Sequence, residues 1–243
     1  MLAEKGLSTC AMILAAGEGR RMRPITDTIP KPLVPLAGKP LIDHVIARLE
    51  EVGVSELAVN LHYLGDTLET YLQKRTHPHA SFSDERAQIL DSGFGAKKML
   101  PHVGNKPFLI ANADTSWFDD GAQNTARLVQ FWNPKKMDIL LLLAETDSSI
   151  GFDGKGDFTR DDEWRLTRRG TRQSAPFAYA GFAILKPDIF ADTPDTPFSL
   201  NMLFDRAIEQ KKLFGLPLEG IWMHVGTPQA LEEAEALLAA RIS

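Results

Sequence analysis

The sequence predicts an α/β fold in which a doubly wound, mixed but mostly parallel sheet is covered by helices. Short apolar runs of strand length alternate with amphipathic stretches of helix length, and this alternation is typical of such sheets. A glycine-rich loop follows the first apolar run, and a short polar segment follows a later one. Because ligands bind at the carboxyl ends of the strands in these sheets, both segments mark a candidate site.

The first half of the chain supplies most of the parallel strands. Cys10–Leu14 (CAMIL) is predicted as a buried strand, and Pro40 opens a helix that Gly53 ends, with apolar residues at helical spacing between them. The further elements predicted here, in order, are a strand at 57–61, a helix at 66–74, a strand at 108–111, a helix at 122–132 and a strand at 139–143.

The pattern of the sequence changes after residue 150. A turn at 153–157 precedes an alternating segment at 158–169 that is typical of a hairpin. The further elements predicted here are a strand at 177–185, a helix at 199–212 with Ser199 as its cap, strands at 213–218 and 221–225, and a helix at 229–240. We interpret residues 1–243 as one domain, with a sheet-forming half at 10–150, a cleft wall at 151–228 and a terminal helix at 229–243.

Composition excludes several classes of protein. The 243 residues carry 27 Lys and Arg against 32 Asp and Glu, a net charge of −5, whereas nucleic-acid binders usually show a basic excess. The single cysteine, Cys10, excludes an internal disulfide and a Cys-rich zinc site. No apolar stretch is long enough for a membrane span. We therefore expect a cytoplasmic enzyme or binding module that contacts neither nucleic acid nor membrane.

The loop after the first strand carries the chemistry. Residues 14–33 read LAAGEGRRMRPITDTIPKPL, in which glycines are followed by Arg20, Arg21, Arg23 and Lys31 and by three prolines. Glycines let backbone N–H groups approach an anion closely, and arginines donate two hydrogen bonds at once to phosphate oxygens. The prolines impose a non-helical path on which the basic side chains can converge. The sequence therefore predicts a site for a polyphosphate.

Two commoner phosphate loops do not fit this segment. A Walker A loop requires Gly-Lys-Ser/Thr after four intervening residues, and that string is absent. A dinucleotide fingerprint requires a third glycine opening a helix, but Met22 occupies that place. The second strand ends in Asn60-Leu-His62 instead of an acid for a ribose.

The segment resembles the signature of the sugar-1-phosphate nucleotidyltransferases, the NDP-sugar pyrophosphorylases, whose pattern is Leu-Ala-x-Gly-x-Gly-Thr-Arg-Met/Leu-x-Pro-x-Thr followed by Pro-Lys-Pro. The similarity extends from Cys10 to the last helix. Residues 154–158 (GKGDF), 179–182 (YAGF) and 225–228 (VGTP) make the chain most similar to N-acetylmuramate-1-phosphate uridylyltransferases and mannose-1-phosphate guanylyltransferase-like proteins. The resemblance implies a glycosyltransferase-A-like fold, with nucleotide bound by residues 10–150 and sugar by 151–228.

The resemblance also implies a reaction and its residues. The oxygen of a sugar 1-phosphate attacks the α-phosphorus of a nucleoside triphosphate, and pyrophosphate leaves. Arg23 would hold the leaving phosphates, Lys31 the α-phosphate, and Asp114 a magnesium ion between the substrates. The residues expected at the nucleotide are Ala15, Ala16, Gly17, Gly19, Arg23, Lys31, Glu85 and Gly93. Those expected at the sugar are Asn112, Asp157 and Gly181.

His224 departs from the family pattern, in which an aspartate completes the metal site. Imidazole is a poorer ligand for magnesium than carboxylate and suits softer ions better. Three interpretations stay open: His224 binds another metal such as manganese, it contacts phosphate as a cation, or the metal site is weakened. A Glu-Lys-Pro segment for the sugar phosphate is also missing, and Arg168 or Arg169 is a weak substitute.

The sequence leaves the substrates and one rival function open. The subgroup resemblance favours UTP with N-acetylmuramate 1-phosphate, and GTP with mannose 1-phosphate or a heptose 1-phosphate is the alternative pair. His224 motivates the rival, a regulatory protein that binds a nucleotide sugar without turnover, whereas the retained Arg23, Lys31 and Asp114 favour an enzyme. Because no apolar stripe is left over, we expect a monomer or a weak homodimer.

Overall fold

The computed structural model describes residues 1–119 and 121–242, and a mixed sheet forms its centre. The strands are β1 Cys10–Leu14, β2 Pro35–Leu36, β3 Lys39–Pro40, β4 Glu56–Leu61, β5 His79–Asp84, β6 Phe108–Asn112, β7 Thr115–Phe118, β8 Ile139–Glu145, β9 Phe158–Arg160, β10 Leu166–Arg168, β11 Phe177–Leu185, β12 Leu213–Pro217 and β13 Ile221–His224. The α-helices are α1 Leu41–Glu50, α2 Gly65–Leu72, α3 Asp91–Val103, α4 Asn124–Phe131, α5 Leu200–Glu209 and α6 Pro228–Ile242.

The main sheet runs in the order β12-β8-β11-β6-β1-β4-β5, with the β9–β10 hairpin joined to β11. Strands β12, β8, β6, β1, β4 and β5 point the same way, and β11 alone among these seven runs against them. The mixed, mostly parallel sheet predicted from the sequence is therefore confirmed. Strand β1 lies inside the sheet between β6 and β4, so the loop that follows β1 begins at an inner strand.

Helices cover both faces of the sheet because successive strand residues point to opposite sides. In β1, Ala11 and Ile13 belong to a core with α1, α2 and α4, whereas Cys10 and Met12 belong to a core with α3 and α5. A third, smaller core joins Met22 of the long loop to β13 and α6. This third core holds the loop after β1 from behind.

The strongly patterned elements form close to their predicted bounds, and Ser199 caps α5 by accepting a hydrogen bond from the Asn201 N–H at 3.3 Å. The structure adds elements that the pattern did not predict, among them β5, α3 and β7. The last predicted strand forms as β13 but leaves the main sheet and pairs with β7, which places His224 opposite Thr115. In the described part of the chain no helix has the length and apolar character needed to cross a membrane.

Candidate active site

The loop after β1 is shaped by its backbone and by two supporting side chains. The Ala15 N–H donates to Asn60 Oδ1 at 2.7 Å, and the Thr26 hydroxyl donates to the Gly19 carbonyl at 2.9 Å. Gly19 has a φ of +63°, and a Cβ there would lie 3.0 Å from Lys31 Cβ. Only glycine fits this position without strain, so Gly19 is what lets Lys31 come up against the loop.

Lys31 and Asp114 meet at the centre of the sheet edge. Asp114 follows β6, and its Oδ2 accepts a hydrogen bond and an ion pair from Lys31 Nζ. The Lys31 side chain is 12% exposed and that of Asp114 is 32% exposed. Burial alone would raise the pKa of Asp114, but the charge and the hydrogen bond of Lys31 hold it below its usual value. Asp114 is therefore an anion at neutral pH, and two predicted catalytic residues lie together.

A cleft of about 220 Å³ lies between the loop after β1 and the start of α3, and it reaches Asn112 at the end of β6. The residues that line it are Leu14, Ala16, Gly17, Asn60, Glu85, Ile89, Asp91, Ser92 and Asn112. Of the predicted nucleotide and sugar residues, Ala16, Gly17, Glu85 and Asn112 are in this group. A Cβ added at Gly17 would meet only open space, so a ligand in the cleft can reach the Gly17 backbone directly.

A hydrogen-bond chain closes the floor of the cleft. The Asn60 amide, fixed through its Oδ1 by Ala15, donates from Nδ2 to Glu85 Oε1 at 3.0 Å. Glu85 is 2% exposed, and its Oε2 is buried without a hydrogen-bond partner. Burial raises the pKa of Glu85, and the Asn60 hydrogen bond offsets only part of that effect. A buried polar oxygen without a partner is costly, so this oxygen is well placed to bond a ligand in the cleft.

His224 lies near the Lys31–Asp114 pair and contacts Arg21. The distance from Arg21 Nη2 to His224 Nε2 is 3.4 Å. Burial lowers the pKa of His224, and Asp114 offsets only part of that effect, so the ring is neutral at neutral pH. The structure does not bring Arg23 to this point: its side chain is 52% exposed and pairs with Asp27 at 3.3 Å.

The residues present suit a divalent cation that has few protein ligands. Within residues 1–119 and 121–242, no three His, Cys, Asp or Glu side chains gather as a metal cluster. Magnesium keeps several waters and commonly takes one or two carboxylates plus substrate phosphates. Asp114 supplies one such carboxylate at the edge of the sheet, so a magnesium ion fits here only together with phosphate oxygens.

The predicted sugar residues are divided between two places. Gly181, at a φ of +77° in the β11 bulge, would place a Cβ 3.0 Å from Asn112 Nδ2 and 3.1 Å from Thr115 Cβ. Gly181 and Asn112 therefore adjoin Asp114 at the strand ends. Asp157 is engaged in the fold instead, because its Oδ2 accepts the Tyr179 N–H at 2.9 Å.

The smallness of Gly93 serves packing. Gly93 lies in α3, donates its N–H to the Phe198 carbonyl at 2.8 Å, and would bring a Cβ within 2.4 Å of the Phe198 ring. Gly93 is not among the residues that line the cleft described above, although its neighbour Ser92 is. Arg168 is also committed elsewhere, since it donates to Asp205 at 2.6 Å. Arg169 donates to the Gly156 carbonyl at 3.2 Å.

The sequence pattern was not used to assign a role of its own to two residues at this site. Arg21 occupies the place of the arginine in Gly-x-Gly-Thr-Arg, so the spacing of that pattern could have marked it as a phosphate ligand in addition to Arg23. Asn60 is in a predicted strand, and nothing in the pattern shows that its amide would join the loop to Glu85.

Comparisons with known proteins decide the family. A model of the MobA-like NTP transferase domain matches residues 11–145. The chain belongs to this family. A Caulobacter vibrioides protein, N-acetylmuramate alpha-1-phosphate uridylyltransferase, is 42% identical over 233 residues, 94% of this chain and 96% of its own. The protein of the same name from Neisseria meningitidis serogroup B is 33% identical, over 95% and 98% of the two chains.

A solved structure shows the same fold at low sequence identity. UDP-glucose pyrophosphorylase complexed with UDP-glucose superimposes with a TM-score of 0.76 at 20% identity, over 96% of this chain and 98% of its own. The glycosyltransferase-A-like nucleotidyltransferase fold is therefore confirmed. As a member of the MobA-like NTP transferase family with uridylyltransferase relatives, the chain is a nucleotidyltransferase.

Proposed function

We propose that this protein transfers a uridylyl group from UTP to N-acetylmuramate α-1-phosphate, giving a UDP-sugar and pyrophosphate in the cytoplasm. The observation that carries the proposal is the 42% identity to the Caulobacter uridylyltransferase over nearly the whole of both chains. The lone Cys10, buried and unpaired, is consistent with a reducing compartment. The site geometry supports the same reaction class, because it combines an open phosphate loop with a Lys–Asp pair.

In this proposal the residues of the chain act by stabilising negative charge on the substrate phosphates. A sugar 1-phosphate is already an anion near neutral pH, so the attack on the α-phosphorus requires no general base. Lys31 would stabilise charge on the α-phosphate, and Arg21 would hold the leaving phosphates through its paired N–H donors. The N–H groups of the loop at Ala16 and Gly17 would border the nucleoside. Catalysis then consists of alignment and electrostatic stabilisation.

Asp114 is the residue that would hold a divalent cation, and its carboxylate suits magnesium and manganese alike. Such an ion neutralises repulsion between two phosphorylated substrates and aligns the reacting oxygens. Lys31, which pairs with Asp114 in the protein without ligand, would turn its ammonium group toward phosphate if Asp114 held a cation. His224 has no role as a ligand in this proposal.

The cleft at Asn60 and Glu85 would receive the base. Glu85 Oε2 lacks a partner, and a carboxyl group there donates when protonated and accepts when ionised. A protonated carboxyl suits a carbonyl oxygen of uracil. An ionised one would suit the N1–H and amino donors of guanine, which favours GTP with mannose 1-phosphate or a heptose 1-phosphate as the second candidate.

A substrate panel tests the proposal. Pyrophosphate release is measured for four nucleoside triphosphates against N-acetylmuramate 1-phosphate, mannose 1-phosphate, a heptose 1-phosphate and glucose 1-phosphate, each with magnesium and with manganese. We expect the highest kcat/KM for UTP with N-acetylmuramate 1-phosphate and magnesium. A preference for GTP would replace it with the second candidate. Nucleotide-sugar binding without any turnover would instead support the regulatory alternative.

A further inference from the structure

The contact between Arg21 and His224 fixes which nitrogen of the imidazole carries the proton. Arg21 Nη2 lies 3.4 Å from His224 Nε2. A guanidinium group has only donors, and a ring nitrogen can accept a hydrogen bond only when it carries no proton. His224 Nε2 is therefore the acceptor, and the proton of the neutral ring is on Nδ1.

The imidazole is held in this orientation from several sides. Its ring centroid lies 5.1 Å from that of Trp222 and 6.1 Å from that of Phe152, which meets it edge-on at 87°. The His224 N–H donates to the Ile150 carbonyl at 2.8 Å, and its own carbonyl accepts the Gly226 N–H at 2.8 Å. The backbone and the ring of His224 are thus fixed before any ligand arrives.

Gly226 keeps open the space in which the two side chains meet. A Cβ at this position would lie 3.0 Å from His224 Nε2 and 3.2 Å from Arg21 Nη2. Both distances are tighter than ordinary contacts of a Cβ, so a larger residue would push the guanidinium and the imidazole apart. The sequence after β13 therefore accommodates this particular contact.

The lone pair of His224 Nε2 can bind only one partner at a time. A nitrogen that accepts from Arg21 cannot coordinate a cation simultaneously, and the described residues gather no third metal-binding side chain. We infer that His224 is a positioning residue that orients Arg21 for the terminal phosphates of the nucleotide. This inference rests on the proposed function, because it assumes that the loop after β1 binds a triphosphate.

Orientation matters because Arg21 is otherwise free to move. Its residue is exposed, and an arginine side chain loses on the order of 2 kcal/mol of rotamer entropy when it is fixed. A guanidinium already held by His224 loses less of this entropy when phosphate binds, which increases affinity. His224→Leu would remove the acceptor, whereas His224→Gln would place an amide oxygen near the position of Nε2.

Binding of inorganic pyrophosphate, measured by calorimetry in EDTA without metal, tests the inference. The variants are His224→Leu, His224→Gln, Arg21→Ala and the double variant Arg21→Ala/His224→Leu, with His102→Leu as a matched control on the exposed end of α3. We expect His224→Leu to raise Kd about tenfold, the size of a hydrogen bond to a charged group. His224→Gln should recover most of the affinity, and His102→Leu should match the wild type.

The double variant separates positioning from a direct contact. In the Arg21→Ala background, His224→Leu should have no further effect on Kd, and a second tenfold loss there would overturn the inference. Unchanged binding in His224→Leu would also overturn it. Failure of the wild type to bind pyrophosphate even after magnesium replaces EDTA would instead contradict the proposed function.

A measurement on the wild type covers the case in which His224→Leu does not fold. Nitrogen-15 NMR of the histidine rings should show His224 with a protonated Nδ1 and an unprotonated Nε2. The Nε2 signal should shift in Arg21→Ala. A proton on Nε2 would overturn the inference without any substitution at position 224.

Discussion

At the scale of single residues, Lys31 and Asp114 show how one contact sets the state of the site. Burial disfavours the charged carboxylate, but the adjacent ammonium group outweighs that effect and lowers the pKa of Asp114. Asp114 is therefore an anion in the protein without ligand, which is the state that the proposed metal site requires. The same ion pair holds Lys31 in place beside Gly19 in the protein without ligand.

Replacing Lys31 by methionine should lower kcat by roughly 100-fold, because a donor aimed at developing charge is commonly worth that much. Methionine retains most of the apolar stem of lysine, so the fold should persist. Steady-state kinetics with UTP and a sugar 1-phosphate measures the effect. Lys39→Met, which removes an exposed lysine in β3, is the matched control and should keep wild-type kcat.

The same variant has a predictable effect on titration. Without Lys31, burial remains and the pKa of Asp114 should rise above its ordinary value of 3.8. Because its folded pKa is lowered in the wild type, Asp114 contributes stability that is present above 3.8 and lost as pH falls through the folded pKa. In Lys31→Met the sign reverses, because a folded pKa above 3.8 makes the folded state gain stability as pH falls from the folded pKa to 3.8. Carboxyl carbon NMR and denaturation between pH 2 and 6 would show no difference if the pair did not form.

Glu85 should respond to pH in the opposite sense. Burial raises its folded pKa above the ordinary 4.5, so the folded state loses stability as pH rises from that value to the folded pKa. Glu85→Gln keeps the acceptor for Asn60 but cannot ionise. Its unfolding free energy relative to the wild type should therefore increase between pH 4 and 7, as measured by urea denaturation. A constant difference across this range would contradict the buried, ionisable role.

At the scale of elements, two glycines of the predicted site serve different purposes. Gly17 has open space where an added methyl group would lie, so Gly17→Ala should leave the unfolding free energy within about 0.5 kcal/mol. It should weaken UTP binding about tenfold by occupying the cleft, a loss of about 1.4 kcal/mol. Gly93→Ala should instead lower the unfolding free energy by about 1–3 kcal/mol, because its Cβ would overlap the Phe198 ring.

Thermal and chemical denaturation together with calorimetric UTP binding distinguish these two outcomes. Each variant serves as the control for the other, since one changes a cleft and the other a packed contact between α3 and the segment before α5. Equal losses of stability in both would show that the loop after β1 is part of the packed core. Equal losses of affinity alone would place Gly93 at the nucleotide.

The elements that the sequence predicted are those whose own residues bury a full face. Strand β1 and helix α1 have strong apolar patterns because they lie at the centre of the sheet and against it. Strand β5 lies at the edge, with mostly half-buried or exposed residues, and shows little pattern. Helix α3 contains two glycines and Pro101, which lower local helix propensity, so tertiary contacts decide its conformation.

The part of the site that could be predicted is the part that lies in the loop motif or directly after a strand. Lys31 and Asp114 follow from the motif and from the strand-end rule, and the structure brings them together. Arg21 and Arg23 are both near the glycines, so proximity alone does not choose between them, and only the pairing of β13 with β7 shows which arginine faces His224. Long-range side-chain contacts of this kind have no local signature in a sequence.

At the scale of the whole molecule, the site gathers segments that are far apart in the chain. The loop after β1, the ends of β4 and β6, and the end of β13 contribute to it, and these elements belong to three separate packed cores. The core that includes α6 supports the loop carrying Arg21 through Met22. Stability of the terminal helix and order of the phosphate loop should therefore be linked.

The surface of the molecule predicts that it acts as a monomer. Among the described residues, the large apolar side chains that are exposed are Met1, Ile29 and Ile89, at 46%, 38% and 46%. Ile89 lines the cleft, so it has a use other than association. A stable protein interface buries about 1,600 Å² around an apolar centre, and these scattered side chains supply no such centre.

Light scattering after size exclusion should therefore give the mass of a single chain at concentrations of tens of micromolar, with at most a weak dimer at higher concentration. Ile89→Ser is the informative variant, because it removes an exposed apolar residue from the cleft. If Ile89 serves the nucleotide, the variant should stay monomeric and bind UTP more weakly. A dimer that persists on dilution in the wild type and dissociates in Ile89→Ser would show instead that this edge of the cleft is an interface.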